Sequence, residues 1–436
     1  MSALYTIVTS LLLVLALPLL PFVAGRVRYR RRLLARLGVG LADRLATPAS
    51  PGAGPCFWVH ALSVGEVTSA LPLVRGLRAH WPLARIVFSA TTASGDQVAR
   101  TLMEPLDAAV IAAPLDLGPV APRFVRLIRP DLFLLVETDF WPNWLYCLRR
   151  AGVPTLLVNG RVSAPSHARY QRFPLFFRPM FRTFSLIAMQ TAADADKMIR
   201  LGVDPERVAT LGNLKFATAP PVADRSPDTN GPAKAAWGFA PAAPLWICGS
   251  THPGEEAMIF EAYTRLRLRF PALQLLLAPR RIERREAILA AARTHGLELR
   301  TRTGGGRPQG PLLLLDTIGE LAGCYALGDV VFIGGSLVAA GGHNPLEPAA
   351  AGVPVLFGPH MEDFAEIAAA LTACGGGRQV PAPEALATAV ELILADPALR
   401  RSMAAAATAC VRANSGVVDR HLEVVARLLT TGDGHR

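Results

Sequence analysis

The 436-residue chain has no C-x-x-C pair among its six cysteines, at positions 56, 147, 248, 324, 374 and 410. That scatter argues against a disulfide framework or a zinc site and fits a reducing compartment. Charged residues make up only 18% and aromatics 7%. No charged residue precedes Arg26, and no acid interrupts 26–36 or 161–182. A cleaved leader carries positive charges ahead of its apolar run, so their absence there disfavours a signal peptide. No repeat of short period is visible, which gives no support to a solenoid. No nucleic-acid-binding motif accompanies the net charge of +11.

What the N-terminus does contain is an apolar run from Ile7 to Ala24, long enough to span a bilayer with little tilt. Arginines 26, 28, 30, 31, 32 and 36 follow at once, so the positive-inside rule leaves the rest of the chain in the cytoplasm. Pro18 and Pro21 interrupt the run, and a helix lying in the interface is the alternative to a spanning anchor. A second patch holds Arg161, Arg169, Arg172, Arg178 and Arg182, interleaved with Tyr170, Phe173, Phe176, Phe177 and Phe181. These two clusters account for the whole positive excess. They imply an anionic surface or substrate, and a basic-aromatic face can rest on anionic lipid headgroups. The bland alternative for the second patch is a helix with a packed aromatic face.

From residue 55, short apolar runs alternate with helical patterns, the grammar of βαβ units and a parallel sheet. Strands are expected at 56–60, 85–90, 108–112, 131–136, 155–158, 185–189 and 208–211. After a Pro- and Ala-rich stretch, a second set is expected at 245–248, 273–278, 312–315, 330–333 and 354–357. The domain expectation is an anchor with basic flank at 1–38, a Rossmann-like domain at 45–216 and a linker at 217–244. A second Rossmann-like domain follows at 245–410, then a C-terminal helix at 411–436 that packs back on the first domain. Ligands of such a pair belong at strand carboxyl ends facing an interdomain cleft.

Candidate chemistry sits at those strand ends. Residues 334–348 follow the apolar run 330–333 and enter a helix at 346–351. Gly334, Gly335, Gly341 and Gly342 permit close backbone approach, and N–H groups with a positive helix end suit a phosphate. Ser336 and His343 share that loop. Pro345 suits the first helical position, Asn344 the cap before it. Glu347 in the first turn is placed to hold the two hydroxyls of a ribose, unless it only completes a capping box with Asn344.

Glu66, ending the run Trp58–Glu66, is a candidate general base, or else the partner of Ser63 in a capping box. Glu137 is a second acid at a strand end, while Trp141 and Pro142 start the next helix. Lys215 closes the first domain and is either a cleft cation or an ordinary surface lysine. Asn159–Ser163 also lies past a strand. In the second domain Ser250, Thr251 and His252 form another strand–loop–helix junction suited to phosphate, and Arg280 after Pro279 offers a planar fork. The stretch Asp316–Glu320 is placed to contact a base or ribose. Asp194-Ala195-Asp196 matches a metal-binding D-x-D by letter only; no metal site is evident.

Taken in order, Ser63–Glu66, Glu137–Asn143, Gly212–Phe216, Ser250–Glu256, Pro279-Arg280, Gly334–Pro348 and Gly358–His360 resemble the bacterial 3-deoxy-D-manno-octulosonic acid (Kdo) transferases, which act on lipid A precursors. The blocks cover most of the chain. The resemblance implies the α/β GT-B fold, two Rossmann-like domains with a cleft between them behind an N-terminal membrane-anchor helix. It also implies CMP-Kdo as donor substrate, no resident cofactor, and a lipid A precursor and inner-membrane lipids as partners, not nucleic acid. Glu66 becomes the general base, with Glu137 and Lys215 stabilising the transition state. CMP contacts fall on Pro279, Arg280, Ile318, Gly319, Glu320, Asn344, Pro345, Leu346 and Glu347. Two positions depart from the family pattern: Arg281 stands where His is usual and Ala217 where Asp is common.

The expected reaction is an inverting Kdo transfer on the cytoplasmic side of the inner membrane, with Arg169, Arg172, Arg178 and Arg182 as an acceptor-lipid patch. Ser250, Thr251, His252, Gly335, Ser336, Gly341, Gly342 and His343 are candidate donor contacts. Another GT-B transferase using a UDP-sugar and a lipid acceptor is the alternative enzyme. A nonenzymatic nucleotide-binding membrane scaffold is the alternative of another class.

Overall fold

The structure is a computed structural model that describes residues 5, 9, 27–45, 54–219, 227–304 and 310–432. It divides into two compact units, Met1–Ala217 with Gly416–Arg436, and Thr218–Ser415. The expected anchor run 7–24 lies outside the described residues apart from Thr9. Among the described residues no helix is long and apolar enough to cross a membrane.

The N-terminal unit opens with the basic helix α1 (Val27–Arg36) and the short α2 (Leu41–Leu45). The sheet then begins with β1 (Cys56–Ala61), followed by α3 (Val64–His80), β2 (Arg85–Ala90), α4 (Ala93–Met103) and β3 (Ala108–Ala112). Next come α5 (Val120–Ile128), β4 (Leu132–Val136), α6 (Pro142–Arg150) and β5 (Thr155–Gly160). Helices α7 (Ala164–Arg172) and α8 (Pro174–Phe181), β6 (Leu186–Met189), α9 (Ala192–Arg200) and β7 (Val208–Thr210) complete the alternation.

The seven strands run in the order β3-β2-β1-β4-β5-β6-β7 and every pairing is parallel. Strands covered on both faces read as unbroken apolar runs, and Leu132–Val136 is buried throughout. Strand order reverses between β1 and β4, so the loops after these two strands meet at the switch point, where open α/β sheets bind ligands.

The C-terminal unit starts with α10 (Pro227–Ala236), β8 (Leu245–Thr251), α11 (Glu255–Arg267), β9 (Gln274–Pro279) and α12 (Arg285–Thr294). It continues through β10 (Arg300–Thr301), β11 (Leu312–Leu314), α13 (Leu321–Cys324), β12 (Val330–Ile333), α14 (Leu346–Ala350) and β13 (Val355–Phe357). Helix α15 (Ala365–Ala373), β14 (Gly377–Gln379), α16 (Leu386–Ala395) and α17 (Pro397–Ala413) close it. Its parallel sheet has the order β10-β11-β9-β8-β12-β13-β14, with the switch point between β8 and β12.

The chain then returns to the first unit as α18 (Val417–Gly432), which packs on α3. Val417, Leu422, Val424 and Val425 join Val67, Ala70 and Val74 in one apolar core. Gly76 allows the approach, because a Cβ there would sit 2.8 Å from Val418 Cγ1. Residues 411–413, grouped by sequence with this last helix, instead finish α17.

Two further expectations need correction. The stretch 217–244 is not simply a linker. It contributes α10, whose Lys234 is buried and donates to Asp329 Oδ2 at 2.9 Å and to the Ala243 carbonyl. Buried Phe239 adds to that docking. Strands β10 and β14 were not foreseen; they are short and carry Arg300, Thr301, Arg378 and Gln379, which gives no apolar signal.

Candidate functional site

In the N-terminal unit the loop leaving β1 carries Glu66 on the first turn of α3. Ser63 stands at the N-cap but its side chain makes no capping bond, so the alternative of a Ser63–Glu66 capping box does not form. Glu66 instead folds back, and its Oε2 accepts from the Leu62 N–H at 2.6 Å. The carboxyl is only 6% exposed. Burial pushes its pKa up to about 8, against the Leu62 hydrogen bond; the charges of Glu137 and Asp139 push the same way, and Lys215 draws it back.

Glu137 leaves β4 in a left-handed backbone conformation, with φ of 61°. A non-glycine residue in that region is strained and usually held there by its surroundings. Its Oε1 accepts from Asn159 Nδ2 at 3.1 Å. Burial raises its pKa, while the charges of Lys215 and Arg161 and the Asn159 bond lower it. Glu66, Glu137 and Lys215, separated by up to 149 positions in sequence, therefore share one electrostatic neighbourhood.

Sequence reasoning missed a chain of polar groups behind this cluster. His60, fully buried on β1, meets Asp139 Oδ2 through Nε2 at 2.9 Å and Ser89 Oγ through Nδ1 at 2.8 Å. Trp58 Nε1 donates to the same Ser89 oxygen, and Thr91 Oγ1 donates to Asp139. With Asp139 accepting from Nε2–H, Nδ1 accepts from the serine hydroxyl, which assigns the tautomer. Burial would raise Asp139, but the hydrogen bonds it accepts from His60 and Thr91 hold it below the ordinary carboxylate range. The fact that β1 reads His in an otherwise apolar strand was the available signal. Arg169, Arg172, Arg178 and Arg182 are exposed at α7 and α8, beside exposed Phe173 and Leu175. Of these, Arg178 donates to the Leu201 carbonyl.

In the C-terminal unit the loops after β8, β9 and β12 lie near the second switch point. Arg280 is exposed just past β9, its backbone N–H bonded to the Thr251 carbonyl. His252 and His343 meet Nε2 to Nε2 at 2.8 Å, so one ring donates and the other accepts. Burial lowers His343 to about 4, and the neighbouring charges of His252 and Arg280 add to the shift. Arg280, His252 and His343 are thus brought together. Asn344 Oδ1 accepts from the Leu346 N–H at 3.0 Å; helix α14 begins at Leu346 as the run 346–351 suggested, but the N-cap is Pro345 and not Asn344. Glu347 is half-buried with its pKa raised by burial. Ile318 and Gly319 are exposed in the loop after β11, and Glu320 is engaged by Arg302 Nη2 at 2.9 Å. Pro279 is buried as the last residue of β9.

In the first part of the glycine loop the amides expected to cradle a phosphate are already taken. Glu255, fully buried in the first turn of α11, accepts the N–H groups of Gly335, Ser336 and Leu337 at 2.7, 3.0 and 3.0 Å, and that of His252 at 2.8 Å. A carboxylate already fills the anion position those amides define. Ser336 is also fully buried; its hydroxyl donates to the Ile333 carbonyl and accepts from the Gly358 N–H. Thr251 is buried with its hydroxyl on Glu256 Oε1. Both hydroxyls are spent on bonds inside the fold. Ser250 is half-buried in a left-handed conformation, φ 58°. Gly341 and Gly342 also have positive φ, and side chains there would strike Asp363 and Met361. Among the described residues no group of three His, Cys, Asp or Glu side chains is arranged to hold a metal ion.

Residues 32–218 match the family described as 3-deoxy-D-manno-octulosonic-acid transferase (kdotransferase). The 3-deoxy-D-manno-octulosonic acid transferase of Haemophilus influenzae is 32% identical over 402 residues, 91% of each chain. That of Bordetella pertussis is 34% identical over 398 residues, 87% of this chain and 89% of its own. A crystal structure of a glycosyltransferase from Rickettsia africae superposes with a TM-score of 0.55 at 11% identity, covering 86% of this chain and 99% of that one, a likeness of fold alone.

Proposed function

The chain belongs to the 3-deoxy-D-manno-octulosonic acid (Kdo) transferases, glycosyltransferases of lipopolysaccharide biosynthesis, and we propose that it moves Kdo from CMP-Kdo to the lipid A precursor lipid IVA with inversion. The observation that carries the mechanism is the Glu66 carboxyl, buried at the β1 switch point, where burial pushes its pKa up to about 8. A general base works best with a pKa near the operating pH.

In this reading Glu66 takes the proton of an acceptor hydroxyl while that oxygen attacks the anomeric carbon of Kdo. The bond from that carbon to the CMP phosphate oxygen breaks on the opposite face, and CMP departs. Glu137 and Lys215 stabilise the charge that develops at the sugar. Arg280, beside the His252–His343 pair, meets the departing phosphate, and Asn344 and Glu347 hold the nucleoside. Because the Glu255 carboxylate occupies the amides of residues 335–337, the phosphate is assigned to Arg280 and not to those amides.

Both units are parallel-sheet α/β domains resembling those of GT-B glycosyltransferases, the first supplying the acceptor chemistry and the second the donor chemistry. The apolar N-terminus anchors the chain at the inner membrane, catalytic units on the cytoplasmic side. Arg169, Arg172, Arg178 and Arg182 rest on anionic headgroups or acceptor phosphates, with Leu175, 80% exposed, reaching into the lipid.

The test is an assay with CMP-Kdo and tetra-acylated lipid A precursor, resolving products by mass. Glu66→Ala should retain thermal protection by CMP and lose transfer by at least a hundredfold. Protection by UDP in place of CMP would overturn the donor, and undiminished transfer by the variant would remove Glu66 as base.

A further inference from the structure

Three carboxamides lie directly behind the N-terminal cluster. Asn159, at the carboxyl end of β5, is fully buried with φ of 56°. Its Oδ1 accepts from the Leu214 N–H at 2.9 Å and its Nδ2 donates to Glu137 Oε1 at 3.1 Å. Its backbone carbonyl accepts from Gln190 Nε2 at 3.0 Å, and Gln190 Oε1 accepts from Asn213 Nδ2 at 3.1 Å. Asn213 Oδ1 then accepts from the Lys215 N–H at 2.9 Å.

Every amide in this chain has a determined orientation. The Leu214 N–H can only meet an oxygen, so Asn159 must turn its NH2 toward Glu137. The Lys215 N–H fixes Asn213 in the same way, and the Asn159 carbonyl fixes Gln190. The network therefore binds the β4 end, which carries Glu137, to the turn that carries Lys215. Arg420 of α18 holds the start of that turn by donating to the Leu211 carbonyl at 3.0 Å. This left-handed, fully buried asparagine has both amide faces committed, and the two groups its network joins are the two proposed transition-state stabilisers.

We propose that Asn159 is a positioning residue for Kdo transfer: its carboxamide fixes Glu137 relative to Lys215 and keeps a hydrogen-bond donor against the Glu137 carboxylate. This deepens the transferase reading and rests on it. The charged groups facing Glu137 are Lys215 from the 214–218 turn, Arg161 past β5 and Glu66 from α3. A purely structural asparagine would need only its Oδ1, for Leu214.

Asn159→Asp separates these roles. The aspartate keeps the oxygen that Leu214 needs and replaces the donor with a second carboxylate oxygen about 3 Å from Glu137. At low pH the pair shares a proton, the acid donates to Glu137, and both bonds return; at high pH two anions face each other. The parent-to-variant kcat ratio should exceed tenfold at pH 8.5 and shrink at least threefold by pH 6, with KM for CMP-Kdo within twofold throughout. The melting temperature of Asn159→Asp should likewise fall further below the parent's at pH 8.5 than at pH 6, a readout that needs no turnover. If the parent itself does not transfer Kdo, the transferase reading fails and the melting comparison still judges the relay. A variant that overlays the parent at every pH, or is equally slowed or unfolded at every pH, overturns the proposal.

Discussion

Replacing Glu66 with glutamine should make the N-terminal unit more stable as pH rises. The carboxyl is buried, and its pKa stands at about 8 against an ordinary 4.5. Between those values the folded state holds a proton that the unfolded chain has released, so the parent loses stability as pH climbs through that window. Glutamine offers the same oxygen to the Leu62 N–H and never ionises, so it escapes this loss. The shift from 4.5 to about 8 corresponds to about 5 kcal/mol at 1.36 kcal/mol per pH unit, reached near pH 8.5 and absent at pH 4. Denaturant titration read by hydrogen exchange in β1 and α3 localises the effect. The Glu66→Gln and parent stabilities should converge near pH 4 and diverge steadily above pH 5. Parallel curves across pH 4 to 8.5 would show that Glu66 ionises normally, and the case for it as a tuned base would go with them. The same ionisation should appear as a rise in the parent's kcat/KM up to about pH 8.

Two other outcomes test the C-terminal unit. Glu255→Ala leaves three buried N–H groups and one partly buried one without their acceptor, so loss of about 3 kcal/mol or more is expected, seen as a lower melting temperature. Arg280→Ala removes an exposed guanidinium, so melting should stay within a degree or two while CMP affinity drops ten- to a hundredfold by calorimetry; unaltered CMP affinity would place the phosphate elsewhere.

Most strands were readable because strands buried on both faces need unbroken apolar runs: Leu132–Val136 and Val330–Ile333 have no other comfortable state. The edge strands β10 and β14 escaped for the converse reason, since their polar residues carry no such pattern. At the site, position relative to strand ends pointed to Glu66, Glu137 and Arg280 because βαβ geometry gathers those ends. Partners chosen by tertiary contact were not legible. Glu255 looks in sequence like an ordinary first-turn acid, yet it caps a loop 80 residues away. Ser336 and Thr251 look like phosphate ligands, yet their hydroxyls are consumed inside the fold. Asn159 was visible only as a residue past a strand; its strained backbone and its reach to residue 214 have no local signature.

The return of α18 to α3 has a consequence for how the chain comes to be folded. Val417, Leu422, Val424 and Val425 complete a core whose other buried members lie before residue 215, with 218–415 inserted between. A nascent N-terminal unit emerging from the ribosome therefore exposes the greasy flank of α3 until the whole inserted unit has been translated. During that interval its aggregation hazard is greatest, and a fragment expressed as 27–217 alone would carry it permanently. Grafting residues 416–432 onto such a fragment through a short flexible tether is the rational way to make this half of the molecule soluble for separate study.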